Sequence, residues 1–251
     1  MRNIGLQFWS IREEVEKDLL GMIEKVAKMG YTGIQFAGFF DHTAEEVKGK
    51  LVEVGIKVAG AHVQIEQLEN NLEETLKYHE TIENDLIIIP FLQENMRLTE
   101  DDYKRTAKRL NDIGRKVHAA GFTLAYHNHD FEFDVFDGKT GFDILFENTA
   151  EEHLKIELDC FWAACTENNP LEIIEKYAER VVSLHIKDMK VVDNEHISTE
   201  LGTGTLPLPE YIQKGKAHNV KWFIAEQEHF TQDPVESATQ NAKEMCAMFD
   251  K

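Results

Sequence analysis

LAYHNHDFEF, residues 124–133, is a short apolar strand that runs out into two histidines, an asparagine and two carboxylates. Three later runs end in the same way: IELD at Asp159, VVSLHIKD from His185 to Asp188, and WFIAEQE from Glu226 to Glu228. One polar strand end needs no special account, because a chain turns polar wherever it leaves a core. Four in succession, each with metal-ligating residue types and spaced roughly 25–40 residues apart as βα units are, point to strand exits that meet in space.

Working outward in both directions, the same alternation continues. Strands are expected at residues 4–10, 33–36, 57–63 and 85–91 on one side, and at 154–159, 181–187 and 221–226 on the other. Between the first two, residues 14–29 place Val15, Leu19, Met22, Ile23, Val26 and Met29 on one helical stripe, closed by Gly30. A second helix starts at Thr43 with TAEE, a capping-box signature, and stops at Gly55. Helices follow over 68–83, over 99–120 with TEDD at its start and Gly121 past its end, and over 141–148. Pro170 opens a helix over 171–178, Pro209 one over 209–215, and Pro234 the last, to about residue 249. Residues 189–206 read as a long polar loop holding LGTGTLP, whose glycines suit close approach of backbone N–H groups to substrate oxygens.

Eight strand–helix repeats in 251 residues give a single-domain (β/α)8 TIM barrel over 1–251 as the expected fold, rather than an open doubly wound sheet. The first βα turn lacks GxGxxG, which argues against a dinucleotide site. A formal net charge of −19 repels phosphate backbones and anionic membranes, so neither nucleic acid nor membrane is an expected partner. Cys160, Cys165 and Cys246 form neither a CxxC pair nor a zinc knuckle and read as reduced packing residues of a cytoplasmic protein. The start, IGLQFWS, reads as a strand and not as an export signal.

GLQFWSIRE, YHNHDFEF, LDCFW, HIKD, LGTG and AEQE, taken together, resemble the sugar phosphate isomerase/epimerase family with a xylose isomerase-like barrel. Inosose dehydratases, ketose 3-epimerases and, more distantly, endonuclease IV belong with it. The resemblance implies one divalent ion at the barrel mouth, manganese first and magnesium, cobalt or zinc as alternatives, with Asp159, His185 and Glu226 as ligands. Many relatives carry Glu where this chain has His127, which leaves the fourth ligand as His127 itself or Glu132. Glu132 is preferred here, since three carboxylates and one imidazole make an oxygen-rich site suited to manganese or magnesium.

Such an ion binds a carbonyl and its neighbouring hydroxyl and acidifies the adjacent C–H. A sugar isomerase or epimerase working through a metal-stabilised enediolate is therefore the expected activity. A dehydratase or lyase on inosose or 3-keto-glycosides is the close alternative, with a non-catalytic sugar-binding barrel or an endonuclease IV-like phosphodiesterase as other classes. His127, His129, His62, Glu132 and Lys187 are the acid–base candidates, and alternation puts His127 and His129 on one face. Trp9, Phe36, Phe39 and Trp162 could wall a sugar pocket, and Glu228 competes with Glu226 as ligand. His79, His118, His153 and His218 are expected at the surface. The expected partner is a small sugar with few phosphate-binding groups around it; self-association stays open.

Overall fold

A computed structural model describes residues 2–250. Eight parallel strands close into a barrel in chain order: β1 (Ile4–Gln7), β2 (Gly33–Phe36), β3 (Lys57–His62), β4 (Leu86–Ile89), β5 (Thr123–His127), β6 (Lys155–Asp159), β7 (Val181–Ile186) and β8 (Trp222–Ala225). β8 pairs back onto β1, with Ile4 opposite Phe223, so no sheet edge is left open in the barrel. Helices follow the strands and cover the outside, and none is long and apolar enough to cross a membrane among the described residues.

Alternation along each strand separates two buried regions. Ile34 and Phe36, Ile87 and Ile89, Leu124 and Tyr126, Ile156 and Leu158 join the large core between barrel and helices. The alternate set, Ala59, Leu86, Ile88, Ala125, Trp222 and Ile224, forms a separate apolar cluster that plugs the lower barrel. A Cβ on Gly33 would stand 2.6 Å from the Trp222 ring, so that glycine is required by the indole and not by its backbone angles. Above the plug the same inward parity gives Gln7, Gln35, Glu157, Asp159 and His185, all buried. Apolar fill therefore ends where ionisable chemistry begins.

Several local expectations change. β1 stops at Gln7, because its side chain accepts the Trp9 N–H (3.0 Å) and turns the chain into a short 3-10 helix, Phe8–Ile11. The helix expected over 14–29 is broken at Asp18, whose carboxylate caps Leu19–Met29 by accepting from Gly21 N. Residues 68–83 form two helices, Ile65–Asn70 and Leu72–Thr81. The polar loop holds an antiparallel hairpin, Asp188–Val192 with Glu195–Thr199, turned at Asp193 and Asn194, both at positive φ. Asp-Asn at a two-residue turn is a weaker signal than Asn-Gly, and the strands around it, DMKVV and EHIST, mix apolar and polar residues without a regular alternation.

LGTGTLP is not a cradle for substrate. Asp188 Oδ2 accepts from Gly202 N and Gly204 N (both 2.9 Å) and Oδ1 from Leu206 N (3.2 Å), so the amides expected to reach a ligand are already bound. A Cβ at Gly204 would sit 2.3 Å from Asp188 Oδ1. His79 also departs from expectation: it is buried, and its Nδ1 accepts from the Asn84 amide at 3.0 Å.

Candidate active site

At the carboxyl ends of β5 to β8, one ligand atom from each of His127, Asp159, His185 and Glu226 lies within 4.8 Å of the others, and all four residues are buried. His127 ends β5, Asp159 ends β6, His185 lies one residue before the end of β7, and Glu226 directly follows β8. Each holds the inward parity of its strand. Asp159 divides its work: Oδ1 caps the helix Cys160–Cys165 by accepting from Phe161 N (2.8 Å) and Trp162 N (3.1 Å), which fixes Oδ2 toward the cluster. That Oδ2 is buried without a hydrogen-bond partner.

Beneath lies a carboxylate that the sequence reading passed over. Glu157 Oε1 stands 3.0 Å from His62 Nε2, 3.2 Å from His127 Nδ1 and 3.0 Å from His185 Nε2, while Gln35 donates to Oε2. Gln35 Oε1 takes a further bond from His185 Nε2 (2.7 Å) and one from the Gln7 amide (2.6 Å). The signal was present: a Glu two residues before Asp159, at the same parity, inside an otherwise apolar strand. One nitrogen of His127 and of His185 thus faces Glu157 in ion-pair contact, His185 Nε2 being hydrogen-bonded to Gln35, and the other nitrogen of each faces Asp159 or Glu226.

Electrostatics follow from this packing. Burial alone would raise the Glu157 carboxyl, but His185 and the surrounding imidazole hydrogen bonds hold it well below the usual range. Burial opposes charge on His185 too, yet Glu157 and Glu226 outweigh it and lift the imidazole to about 10. Glu226 is likewise held low against its burial, by Lys187 and His185. His62 is lowered by burial despite Glu157, and His129 falls to about 2 through burial, His127 and Lys187.

Glu132 lies apart from the cluster. Its Oε1 accepts from the Tyr126 hydroxyl and its Oε2 from His129 N (2.7 Å), and burial lifts its carboxyl to about 8. It fastens the turn after β5. Asn128 does the same across the strand ends, accepting from Asp159 N (3.0 Å). Lys187 is fully buried, with Nζ 3.2 Å from Asp159 Oδ2, 3.0 Å from Glu226 Oε2 and 3.0 Å from Glu228 Oε1.

Above the cluster a cavity of about 510 Å³ opens at the mouth, lined by His62, His127, His129, Glu226 and Glu228 with Trp9, Pro90 and Phe91. His129 stacks on Phe131 and meets Phe91 edge-on, and its Nδ1 has no partner. Phe36 is fully buried against Phe8 and Phe39, and Phe39 packs on Tyr78, so the aromatic wall is Trp9 and Phe91.

The residues suit a divalent cation: two imidazole nitrogens and two carboxylates converge, one carboxylate oxygen lacks a hydrogen-bond partner, and an outer carboxylate lies against both imidazoles. With two imidazoles in place of three carboxylates, the donor set is softer than the one expected with Glu132.

Comparison with known proteins agrees with this architecture. The sequence profile of the xylose isomerase-like TIM barrel family matches residues 23–251. An inosose dehydratase of Clostridium perfringens is 26% identical over 111 residues, 44% of this chain and 37% of that protein's length, so the match spans little more than a third of that relative. The crystal structure of a sugar phosphate isomerase/epimerase from Parabacteroides distasonis superposes with a TM-score of 0.85 at 21% identity, over 100% of this chain and 96% of that one. A 3-keto-D-glucoside 4-epimerase from E. coli gives 0.72 at 18% identity, over 98% and 100%. At these identities the structural likeness speaks for the fold.

Proposed function

Because the chain belongs to the xylose isomerase-like TIM barrel family, we propose that it is a divalent-metal-dependent sugar isomerase or epimerase, acting on a carbohydrate or keto-sugar by proton abstraction beside a carbonyl. The observation that carries this reading is the convergence of His127, Asp159, His185 and Glu226 under a cavity of sugar-binding size. These four would hold the ion, manganese, cobalt or zinc in preference to magnesium given the two imidazoles. When bound it supplies Lewis acidity, polarising a carbonyl and acidifying the neighbouring C–H.

The chain's own groups account for the remaining work. With Nε2 engaged by Glu157, His62 presents Nδ1 as the proton acceptor, in the manner of a carboxylate-oriented imidazole base. His62 gives the same proton to the neighbouring carbon, which yields the isomer, or exchanges it with solvent water that reprotonates the other face, which yields the epimer. Glu228, bonded to Lys187 and lining the cavity, accepts a hydrogen bond from a sugar hydroxyl. Lys187, buried beneath the cavity and bonded to Glu228, sets the charge under its floor. His129 is kept neutral by its burial and lines the cavity, while Trp9 and Phe91 stack on C–H faces. Likeness to inosose dehydratases supports a second reading, in which the abstracted proton is followed by loss of a β-hydroxyl.

The test is a screen of keto-sugars and inososes with manganese in D2O, following the carbon-bound protons by NMR. Solvent deuterium entering the sugar with its formula otherwise unchanged is the expected result. Deuterium entry with loss of water assigns the dehydratase, whereas binding with no exchange in any sugar leaves a carbohydrate-binding barrel and rejects the catalytic reading.

A further inference from the structure

Lys187 is the one Lys or Arg side chain, among the described residues, paired with the carboxylates of the cluster. It arrives there by strand parity, two residues beyond His185 on the inward face. Its ammonium lies within ion-pair distance of Asp159 Oδ2, Glu226 Oε2 and Glu228 Oε1, and its hydrogen bond goes to Glu228. Phe161 and Trp162, on the helix that Asp159 caps, stand with ring centres 5.2 and 5.3 Å from Nζ, within cation–π reach. The first two of its oxygens are the ones that Asp159 and Glu226 offer to the cluster, whereas Glu228 lies outside it and faces the cavity.

We infer that Lys187 is a resident counter-cation that competes with the divalent ion for Asp159 Oδ2 and Glu226 Oε2 and, when the ion binds, is left on Glu228 at the cavity floor. This rests on the cluster being a cation site. A buried carboxylate group without a cation is unstable, so the lysine keeps the ion-free protein folded. Two cations sharing the same oxygens repel, so the lysine also weakens ion binding and keeps it reversible. Loading the site thereby leaves the positive charge under the cavity floor.

The experiment compares chelator-stripped wild type with Lys187→Met and Lys187→Arg, titrating manganese by calorimetry and recording melting with and without the ion. Lys187→Met is expected to bind manganese about tenfold or more tightly than wild type. Its stripped form should melt lower than stripped wild type, with manganese closing the gap. Lys187→Arg, which keeps the charge, should bind about as wild type does. Should stripped Lys187→Met fail to fold, refolding in manganese must recover it, and no recovery overturns the inference. Equal or weaker binding by Lys187→Met, or binding by Lys187→Arg as tight as by Lys187→Met, also overturns it while the cation site stands. Wild type that takes up no divalent ion removes both the site and the inference.

Discussion

A buried imidazole has two nitrogens, and whatever holds one decides what the other can do. Glu157 Oε1 lies 3.2 Å from His127 Nδ1 and 3.0 Å from His185 Nε2, and Gln35 Oε1 bonds His185 Nε2 as well, so one buried carboxylate attracts two imidazoles from different strands toward the same point. Glu132 has no such freedom, since the Tyr126 hydroxyl and the His129 amide take one oxygen each. The expectation is that His127→Ala sharply reduces bound manganese while Glu132→Gln retains it, measured as metal content after dialysis. Retention by His127→Ala together with loss in Glu132→Gln would return the fourth ligand to Glu132. That Asp159, His185 and Glu226 would lie together was legible from the strand ends, and their part as candidate ligands from the family resemblance. The choice between His127 and Glu132 was not, because both lie within a few residues and local spacing allows either.

At the scale of the element, the helix Leu72–Thr81 carries a pH response of its own. His79 faces inward, Asn84 donates to its Nδ1, and the same amide donates to Leu86 O and accepts from Leu86 N, so Nδ1 can serve only as an acceptor. Burial lowers this imidazole from 6.5 to about 4. The unfolded chain therefore binds the proton more readily between those values: stability is complete above 6.5 and is lost as pH falls toward about 4. The loss should reach roughly 3 kcal/mol. Urea unfolding of wild type and His79→Gln at pH 7 and at about pH 4 should show a smaller loss in the variant, and parallel losses would refute the assignment. A charged helix suggested an exposed histidine, because the sequence pattern does not show that the Asn84 turn folds back under it.

For the whole molecule, the candidate ligands come from β5, β6, β7 and β8, so a bound ion ties together half of the barrel wall. Manganese at about one hundred times its dissociation constant should stabilise the fold by about 2.7 kcal/mol, or roughly 5–10 °C in melting temperature. Chelator should reverse the shift in thermal melts, and Asp159→Ala should abolish it. An unchanged melting temperature at saturating ion would contradict the site. Strand order, inward parity and the placing of chemistry at four strand exits were determined by the sequence itself, since a period of two and the βα rhythm are local properties of the chain. Tertiary structure alone decided that Glu157 underlies the cluster, that Lys187 sits among its carboxylates, and that Asp188 consumes the loop amides. Those facts are distances between residues tens of positions apart, and they exist only once closing the barrel has fixed how far each strand slides past its neighbour.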